Sequence, residues 1–529
     1  MNSKPRELSH LKTTLFDLLI IGGGINGAGI ARDGALRGFK VCLIEKGDFA
    51  SGTSSKTSKL VHGGLRYLEH GDFKLVYEAL QERHHLLKIA PHLVHPLSFF
   101  LPIYQGDSRG VLKVKLGLTL YDCLSGKRNI QTHKNFPLSQ LSTEVPQINL
   151  NGLKKTFHFY DAQMNDARLC LENILSAVES GACAFNYFNA VRFLEKEGRV
   201  SGILGKDLIS NQEFEIHAKL VINATGPWID QLLAKRTGSP QKKLRLAKGI
   251  HIILPRLTKE HAFLLTAQQD GRVFFSLPWR DFTLVGTTDT DFSGDPDHVT
   301  AEIGEIQYLL LEIQRIFPGT PLSRKDIIST FAGVRPLIHE ERKKLSEVSR
   351  EYRIEETSPG LLSILGGKFT TYRSLAERAV NQATQILHLH QNEPCRTALL
   401  SLPGGGKIPT VEEFSKSFDL DQVTIQHLLA TYGSRALEVA KTAKEWGTQG
   451  QLCPHHPHMK AELLYAFTHE MAQTLDDFFT RRTLIRYTPC RGILCMENIV
   501  KILSGLSLFS EEELQTQKEN YLRSIKKDK

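Results

Sequence analysis

The chain has 529 residues, of which 41% are hydrophobic and 23% are charged, and its formal charge is +9 at neutral pH. This length exceeds what one compact core holds, so we expect two or three folding units, and the composition excludes a disordered chain. The basic residues are spread along the chain. This spread indicates a solvated surface and gives no sign of a nucleic-acid-binding stripe, so we expect no nucleic acid partner.

No stretch of the sequence is typical of a membrane span. The best candidate, residues 14–31, contains Asp17 and five glycines and is better explained as a strand followed by a glycine turn. The eight cysteines include no CxxC pair, and Cys490 and Cys495 have no matching zinc-ligand set in the sequence. We therefore expect neither a disulfide framework nor a metal site, as in a protein of a reducing cytoplasm.

The amino-terminal elements form a nucleotide-binding pattern. A strand, a glycine turn, a helix and a second strand are predicted at 18–21, 22–27, 25–37 and 41–44. Gly22, Gly24 and Gly27 permit a tight turn in which a pyrophosphate approaches backbone N–H groups. Glu45 closes the second strand, where a carboxylate accepts the ribose hydroxyls of adenosine. The pattern predicts a dinucleotide site but does not distinguish FAD from NAD.

Apolar strands end in glycine turns at two further places, at Gly226 and at Gly366, and strands of a second sheet are predicted within 270–290. These signals predict an α/β fold: a Rossmann-like nucleotide domain interleaved with a sheet-bearing substrate domain, and then a helical domain. We place the oxidoreductase region at 16–405, with nucleotide-binding segments at about 16–90, 151–245 and 330–400, substrate segments at about 91–150 and 246–329, and the helical domain at 406–529.

Several motifs resemble signatures of the flavin-dependent glycerol-3-phosphate dehydrogenases. Residues 21–33, followed by Arg37-Gly38, resemble the amino-terminal signature of that family, and residues 366–376, GGKFTTYRSLA, resemble its second signature. Further matches are KLVHGGLRYLE at 59–69, NATGPW at 223–228, VGTTD at 285–289 and GVRPL at 333–337. Together they cover residues 16 to 405, and residues 410–510 resemble the helical carboxy-terminal domain of the family more loosely.

The resemblance implies that FAD is the cofactor and that sn-glycerol 3-phosphate is oxidised to dihydroxyacetone phosphate, with a hydride passing from C2 to flavin N5. It also implies reoxidation by membrane quinone and peripheral attachment to the cytoplasmic face of the cell membrane, and it leaves a homodimer open. The helix predicted at 111–124, in which Lys113 and Lys115 lie among leucines, is the candidate for membrane contact. The edge of a core helix is the alternative.

The glycine pattern and the resemblance together indicate the cofactor-binding residues. They are Gly22, Gly24, Asn26, Gly27, Glu45, Lys46, Thr53, Ser54, Ser55, Lys59, His62, Gly63, Gly64, Ala224, Thr225, Gly226, Gly367, Lys368 and Thr370. The hydroxyls at 53–55 are neutral donors for the pyrophosphate. The N–H of Thr370 is expected near the flavin O2 edge, where negative charge accumulates on reduction.

The substrate phosphate carries roughly −1.5 to −2 charges and needs matched cations. Arg66, Arg335 and Lys368 are the candidates, because each lies in a family motif beside a glycine turn. Arg350 is a fourth candidate, for which a surface salt bridge is the alternative.

The catalytic candidates are Arg66, Tyr67, His251, Arg335 and Lys368. Imidazole titrates near neutral pH, so His251 or the cofactor-side His62 can take the proton of the substrate hydroxyl. Arg335 or Lys368 can polarise the alkoxide instead, and the sequence does not decide between these roles.

Three other functions compete with this interpretation. A glycerol-3-phosphate oxidase shares the substrate half-reaction and uses oxygen as the acceptor. An amine or amino-acid oxidase shares the FAD unit and binds a carboxylate with its arginines. A non-catalytic RNA-binding flavoprotein is suggested only by the +9 charge, because the sequence carries no RNA-recognition signature.

Overall fold

The computed structural model describes residues 7–239, 242–340, 351–389, 393–448, 450–506 and 508–528. Within these residues, one eight-stranded sheet forms the nucleotide-binding half. Its strands, from edge to edge, are Tyr352–Ser358, Leu361–Gly366, Glu213–Asn223, Leu15–Ile21, Val41–Ile44 and Cys183–Phe185, and the hairpin of Phe188–Lys196 and Arg199–Asp207 extends from Glu213–Asn223.

The centre of this sheet is parallel because its strands are joined by helical crossovers. Leu15–Ile21 begins three residues before the predicted strand, and Val41–Ile44 has the predicted bounds. The helix Ile25–Leu36 packs closely against Tyr372–Ile386, since a Cβ at Gly29 would lie 2.8 Å from the ring of Tyr372. The small residues of the first helix therefore serve close helix packing.

The second sheet has ten strands within the described residues. In spatial order they are Thr290–Asp291, Leu244–Pro255, Phe282–Gly286, Val273–Trp279, Ala262–Thr266, Val94–Tyr104, Leu153–Met164 and Leu60–Val61, with Ser329–Ile338 beside Leu244–Pro255 and Lys134–Phe136 beside Leu153–Met164. Leu153–Met164 and Ser329–Ile338 thus lie in this sheet, although both fall in segments that the sequence analysis grouped with the nucleotide domain. A buried apolar run does not reveal which of two sheets it joins, so the predicted segment bounds and the sheets differ here.

The predicted fold class is confirmed: both sheets precede a mainly helical carboxy-terminal region. Up to residue 389 the α-helices are His10–Thr13, Ile25–Leu36, Phe73–Ile89, Val111–Ser125, Leu138–Glu144, Asp166–Glu179, Ile229–Thr237, Ile303–Ile316 and Tyr372–Ile386. Those of the carboxy-terminal region are Val411–Ser415, Gln422–Tyr432, Ala436–Glu445, Lys460–Thr468, Leu475–Asp477, Met496–Gly505 and Glu511–Ile525, with a small hairpin of Gln451–Cys453 and His456–Met459. None of the helices in the described ranges is long and apolar enough to cross a membrane.

Buried ion pairs connect the carboxy-terminal region to the nucleotide-binding half. Arg482 donates two hydrogen bonds to the carboxylate of Asp48, at 2.8 and 3.0 Å, and Arg481 donates a third at 2.5 Å. Burial alone raises the pKa of Asp48, but the two guanidinium groups outweigh it and hold that pKa well below its ordinary value. Arg168 pairs with Glu470 in the same way, at 2.5 Å. These fork-like pairs fix the helical region against the loop that follows Val41–Ile44 and against the helix Asp166–Glu179.

Candidate active site

A cavity of about 1400 Å³ lies between the carboxyl ends of the parallel strands and the second sheet. It exceeds the usual range for a single small ligand, about 300–1,000 Å³, and suits a dinucleotide together with a substrate. Most predicted site residues line it: Gly22, Gly24, Asn26, Glu45, Lys46, Thr53, Ser54, His62, Gly64, Arg66, Tyr67, Ala224, Thr225, Gly226, His251, Arg335, Gly367, Lys368 and Thr370. The other predictions, Gly27, Ser55, Lys59 and Gly63, do not line it, and Arg350 lies outside the described residues.

The glycine turn has no room for side chains. Gly22 has a φ of +112°, and a Cβ there would lie 2.6 Å from the carbonyl oxygen of Ala224. A Cβ at Gly27 would lie 1.9 Å from the oxygen of Gly22, so the helix can approach the strand only with glycine at this position. The first helical residue, Ile25, donates its N–H to Ser54 Oγ at 2.9 Å. A helix amino terminus beside a hydroxyl group fits a pyrophosphate.

Glu45 has a structural role in addition to the predicted one. Its two carboxylate oxygens accept the N–H groups of Gly23 at 2.8 Å and of Gly47 at 2.9 Å. Burial raises the pKa of Glu45, and these two donors oppose the rise. Each carboxylate oxygen has two lone pairs, so the group can accept a ribose hydroxyl while it holds the turn. The donors and acceptors of the glycine turn, Ser54 and Glu45 therefore fit FAD.

The two lysines predicted to bind the cofactor, Lys46 and Lys59, lie in different surroundings. The ammonium of Lys46 lies 4.5 Å from the ring centre of Trp228 and 2.6 Å from Asp297, which places it at the cavity wall. Lys59 is buried outside the cavity, where it pairs with Asp166 at 2.7 Å and donates to the carbonyl oxygen of Ser55. Its position therefore supports a structural role in the loop that presents the hydroxyl groups.

The turn at Gly63-Gly64 brings the backbone close to the substrate end of the cavity. Gly64 has a φ of +85°, and a Cβ there would lie 2.3 Å from the ring of Tyr67 and 3.1 Å from Lys368 Nζ. The N–H of Gly63 donates to the hydroxyl of Tyr121 at 2.8 Å, and that hydroxyl donates to Asp161 at 2.8 Å. The sequence analysis missed Tyr121 and Asp161, because a lone tyrosine on a helix and an acid inside a strand carry no motif.

Lys368 lies in the cavity wall beside these groups. It donates to the carbonyl oxygen of His62 and lies 5.2 Å from the ring centre of Tyr67. Burial lowers the pKa of Lys368 to about 7, and the nearby Asp161 opposes this shift. Arg66 faces the same cavity, half-buried, and makes no ion pair or hydrogen bond with the part of the chain that the structure describes. Both cations therefore face this part of the cavity, and both lower the pKa of His62.

Arg335 reaches the cavity from the second sheet. It donates to Asp289 at 3.0 Å and to Thr287 Oγ1 at 2.8 Å. A Cβ at Gly249, on the adjacent strand, would lie 2.3 Å from its guanidinium, so glycine makes room for the side chain. The motif at 285–289 thus positions an arginine of the motif at 333–337, a pairing that the sequence alone does not show.

Both candidate bases are neutral at physiological pH. Burial lowers the pKa of His62 well below its ordinary value, and the charges of Lys368 and Arg66 lower it further. Burial also lowers the pKa of His251, with a smaller effect from Arg335. The Nε2 of His251 lies 2.9 Å from Ser58 Oγ, and its Nδ1 has no hydrogen-bond partner among the described residues.

Comparison with known proteins agrees with this geometry. The family model described as FAD dependent oxidoreductase matches residues 17–373. A second model, the C-terminal domain of alpha-glycerophosphate oxidase, matches residues 395–514. Together they cover both the two-sheet region and the helical region.

Two relatives and one solved structure match this chain along nearly their whole length. A glycerol-3-phosphate dehydrogenase from Synechocystis is 38% identical over 98% of this chain and 97% of its own. An aerobic glycerol-3-phosphate dehydrogenase from Staphylococcus saprophyticus is 36% identical, over 97% and 94% respectively. The solved structure of the glycerol-3-phosphate dehydrogenase from Bacillus halodurans, complexed with FAD, has a TM-score of 0.78 at 30% identity and covers 98% of this chain and 96% of its own.

These likenesses confirm the predicted family, the enzyme class and the cofactor, FAD. The roles of individual residues stay predictions. The chain belongs to the glycerol-3-phosphate dehydrogenase family of FAD-dependent oxidoreductases.

Proposed function

We propose that this enzyme oxidises sn-glycerol 3-phosphate at C2 to dihydroxyacetone phosphate and passes the electrons to a membrane quinone. The observation that carries the proposal is the group of three cations, Arg66, Lys368 and Arg335, which line one cavity beside the predicted flavin-binding turns. A phosphate monoester of roughly −1.5 to −2 charges matches these cations better than a single carboxylate does. This match favours glycerol 3-phosphate over an amino acid as the substrate.

The cations have distinct parts in this proposal. Arg66 binds the phosphate because its guanidinium has no competing carboxylate in the described residues. Arg335 has part of its charge balanced by Asp289, and its guanidinium at the cavity wall orients the phosphate. Lys368 is protonated only in part near neutral pH, because burial lowers its pKa to about 7, so an incoming anion draws a proton onto it.

His251 is the better base for the C2 hydroxyl. Three cations disfavour the imidazolium of His62, namely Lys368, Arg66 and Arg83, whereas Arg335 and Lys59 act on His251. The neutral ring of His251 also stacks on Phe331 at 4.8 Å, which holds its plane while Ser58 holds Nε2. His251 therefore accepts the hydroxyl proton, and bound FAD supplies the acceptor for the C2 hydride.

The quinone requires a contact with the membrane surface. The helix Val111–Ser125 exposes Leu112 by 80% and Leu116 by 69%, and Lys113 lies between them. Leu116 and Leu120 also line the cavity, so the apolar helix surface continues into the predicted active site. An interfacial helix with leucines toward the acyl chains and lysines toward anionic head groups supports attachment to the cytoplasmic face of the cell membrane.

The decisive experiment adds glycerol 3-phosphate to the anaerobic FAD-bound enzyme. Bleaching of the flavin supports the substrate assignment, and an unchanged spectrum overturns it. Recovery of the yellow colour with quinone in anionic liposomes supports the quinone acceptor. Rapid recovery with oxygen and release of hydrogen peroxide, without quinone reduction, would instead identify an oxidase.

Matched variants test the membrane contact. Leu112→Asp with Leu116→Asp should abolish liposome binding and slow quinone reduction while flavin bleaching stays normal. The control is Leu399→Asp, since Leu399 is 81% exposed in a different part of the molecule. Equal liposome binding by the double variant and the control would refute the assignment of this helix.

A further inference from the structure

Three residues with metal-binding side chains meet in the carboxy-terminal region, outside the lining of the cavity, and a fourth lies beside them. Cys453 and His456 face each other across the hairpin of Gln451–Cys453 and His456–Met459, whose turn is Pro454-His455. Cys490 comes from the segment before the helix Met496–Gly505, and its sulfur lies 3.0 Å from His456 Nε2. The ligand atoms of Cys453, His456 and Cys490 all lie within 4.8 Å of one another.

A fourth thiol lies beside the group of three. Cys495 is the residue directly before the helix Met496–Gly505, and it is buried in the same apolar cluster as Cys453. Its thiol interacts with those of Cys453 and Cys490. All of these cysteines are free thiols in the structure. The chain therefore brings together a Cys-x-x-His turn and a Cys-x4-Cys segment, which are spacings typical of short zinc-binding loops.

The distances suit a tetrahedral ion. With Zn–S near 2.3 Å and Zn–N near 2.0 Å, neighbouring ligand atoms of a tetrahedron lie roughly 3.5 to 3.8 Å apart. The three atoms within 4.8 Å already surround such a space, and the His456–Cys490 pair at 3.0 Å must open by only about half an ångström. The side chains are buried or half-buried, so an ion here would be shielded from solvent.

In a neighbouring cluster of two histidines and a glutamate, by contrast, hydrogen bonds within the protein occupy the carboxylate. His427 and His458 both contact Glu462 Oε1, at 2.8 and 3.0 Å, and Tyr432 donates to the same oxygen at 3.2 Å. The second oxygen of Glu462 accepts the N–H of Met459 at 2.6 Å. This carboxylate is fully used by protein donors. In the first cluster, Cys490 contacts His456 at 3.0 Å, and the thiols otherwise make long contacts, to Thr488 at 3.6 Å and to the carbonyl oxygen of Gly492 at 3.4 Å.

We propose that Cys453, His456, Cys490 and Cys495 bind one structural Zn²⁺ ion. Thiolate and imidazole ligands without a carboxylate select zinc over magnesium or calcium. Release of the thiol protons accompanies binding. The ion cross-links the hairpin to the segment before this helix, two pieces of chain that share little backbone pairing. The sequence analysis expected no metal site because the ligands lie in separate, unremarkable segments.

The test uses the full-length, FAD-bound protein purified without a polyhistidine tag. Elemental analysis should find about one zinc per chain in the wild type and in the control Cys123→Ser, whose exposed thiol lies outside the cluster. Cys453→Ser and Cys490→Ser should each lower the zinc content at least roughly tenfold. Cobalt substitution should give the intense thiolate charge-transfer bands of a tetrahedral site.

A second measurement keeps the proposal testable if the cysteine variants fold poorly. In the wild type, zinc should protect Cys453, Cys490 and Cys495 from alkylation, and a chelator should expose them while the flavin stays bound. Zinc below about 0.1 per chain after incubation with zinc and a reductant would overturn the proposal. A disulfide among these cysteines in protein prepared under reducing conditions would overturn it as well. Zinc retained in both serine variants but lost in His427→Gln would place the ion in the neighbouring cluster and refute this assignment.

Discussion

Arg335→Ala tests the proposed recognition of the substrate phosphate. Removing one partner of a desolvated charge pair costs about 2–5 kcal/mol, which is roughly a 30- to 3,000-fold loss in kcat/KM at about 1.4 kcal/mol per decade. The Arg335 side chain is 26% exposed, so water screens part of its charge. We therefore expect the lower half of this range for glycerol 3-phosphate, roughly 30- to 300-fold.

The ion pair of Arg335 adds a second, separable effect. Truncation takes a cation away from Asp289, to which Arg335 donates at 3.0 Å, and that carboxylate then repels the phosphate dianion. In the double variant Arg335→Ala with Asp289→Asn this repulsion is absent. Its kcat/KM should therefore be about tenfold higher than that of Arg335→Ala alone. Asp289→Asn alone should have a much smaller effect than Arg335→Ala.

Steady-state kinetics with glycerol 3-phosphate and with unphosphorylated glycerol separates binding from chemistry. The poor activity toward glycerol should change little in Arg335→Ala, and the flavin spectrum should stay normal. Equal losses with both substrates while FAD remains bound would refute phosphate recognition and assign Arg335 to the chemical step. If neither activity falls, the phosphate lies elsewhere, and Arg66 with Lys368 becomes the remaining pair.

Three further predictions follow from single contacts. Gly27→Ala should abolish FAD binding, because its Cβ would lie 1.9 Å from a carbonyl oxygen. The measurement is the ratio of flavin to purified protein. The control Gly304→Ala, which has open space around it, should retain full flavin. The KM for glycerol 3-phosphate should rise as the pH rises through about 7, where Lys368 loses its proton. In Lys368→Arg this rise in KM should occur at higher pH. A rise at the same pH in the variant would exclude Lys368 from the phosphate site. Asp48, whose folded pKa is depressed by Arg482, stabilises the protein above its unfolded pKa of about 3.9 and loses this effect as the pH falls. Asp48→Asn should therefore lower the melting temperature at neutral pH and flatten its decline below about pH 5, and parallel melting curves at all pH values would contradict the assignment.

The sequence predicts the nucleotide-binding half well because local chemistry determines it. The strand Val41–Ile44 has the predicted bounds, and the helix Ile25–Leu36 ends one residue before its predicted end, since apolar periodicity and glycine turns fix both elements within a few residues of chain. The assignment of Leu153–Met164 and Ser329–Ile338 to the second sheet was not predicted, because strand pairing is a property of distant segments. Asp289 beside Arg335 is invisible in the sequence for the same reason.

The two ends of the cavity depend on different physics, and this difference explains which residues the sequence reveals. The cofactor end uses neutral donors, such as the N–H groups of the glycine turn and Ser54 Oγ, whose positions require glycine and therefore leave a motif. The proposed substrate end instead uses the cations Arg66 and Lys368, and burial lowers the pKa of Lys368 to about 7. Asp161 opposes the lowering of the Lys368 pKa, although it pairs directly with Arg83 at 2.5 Å and accepts the hydroxyl of Tyr121. A charge tuned by its neighbours leaves no local signature, so the proposed phosphate site includes buried residues that the sequence does not reveal.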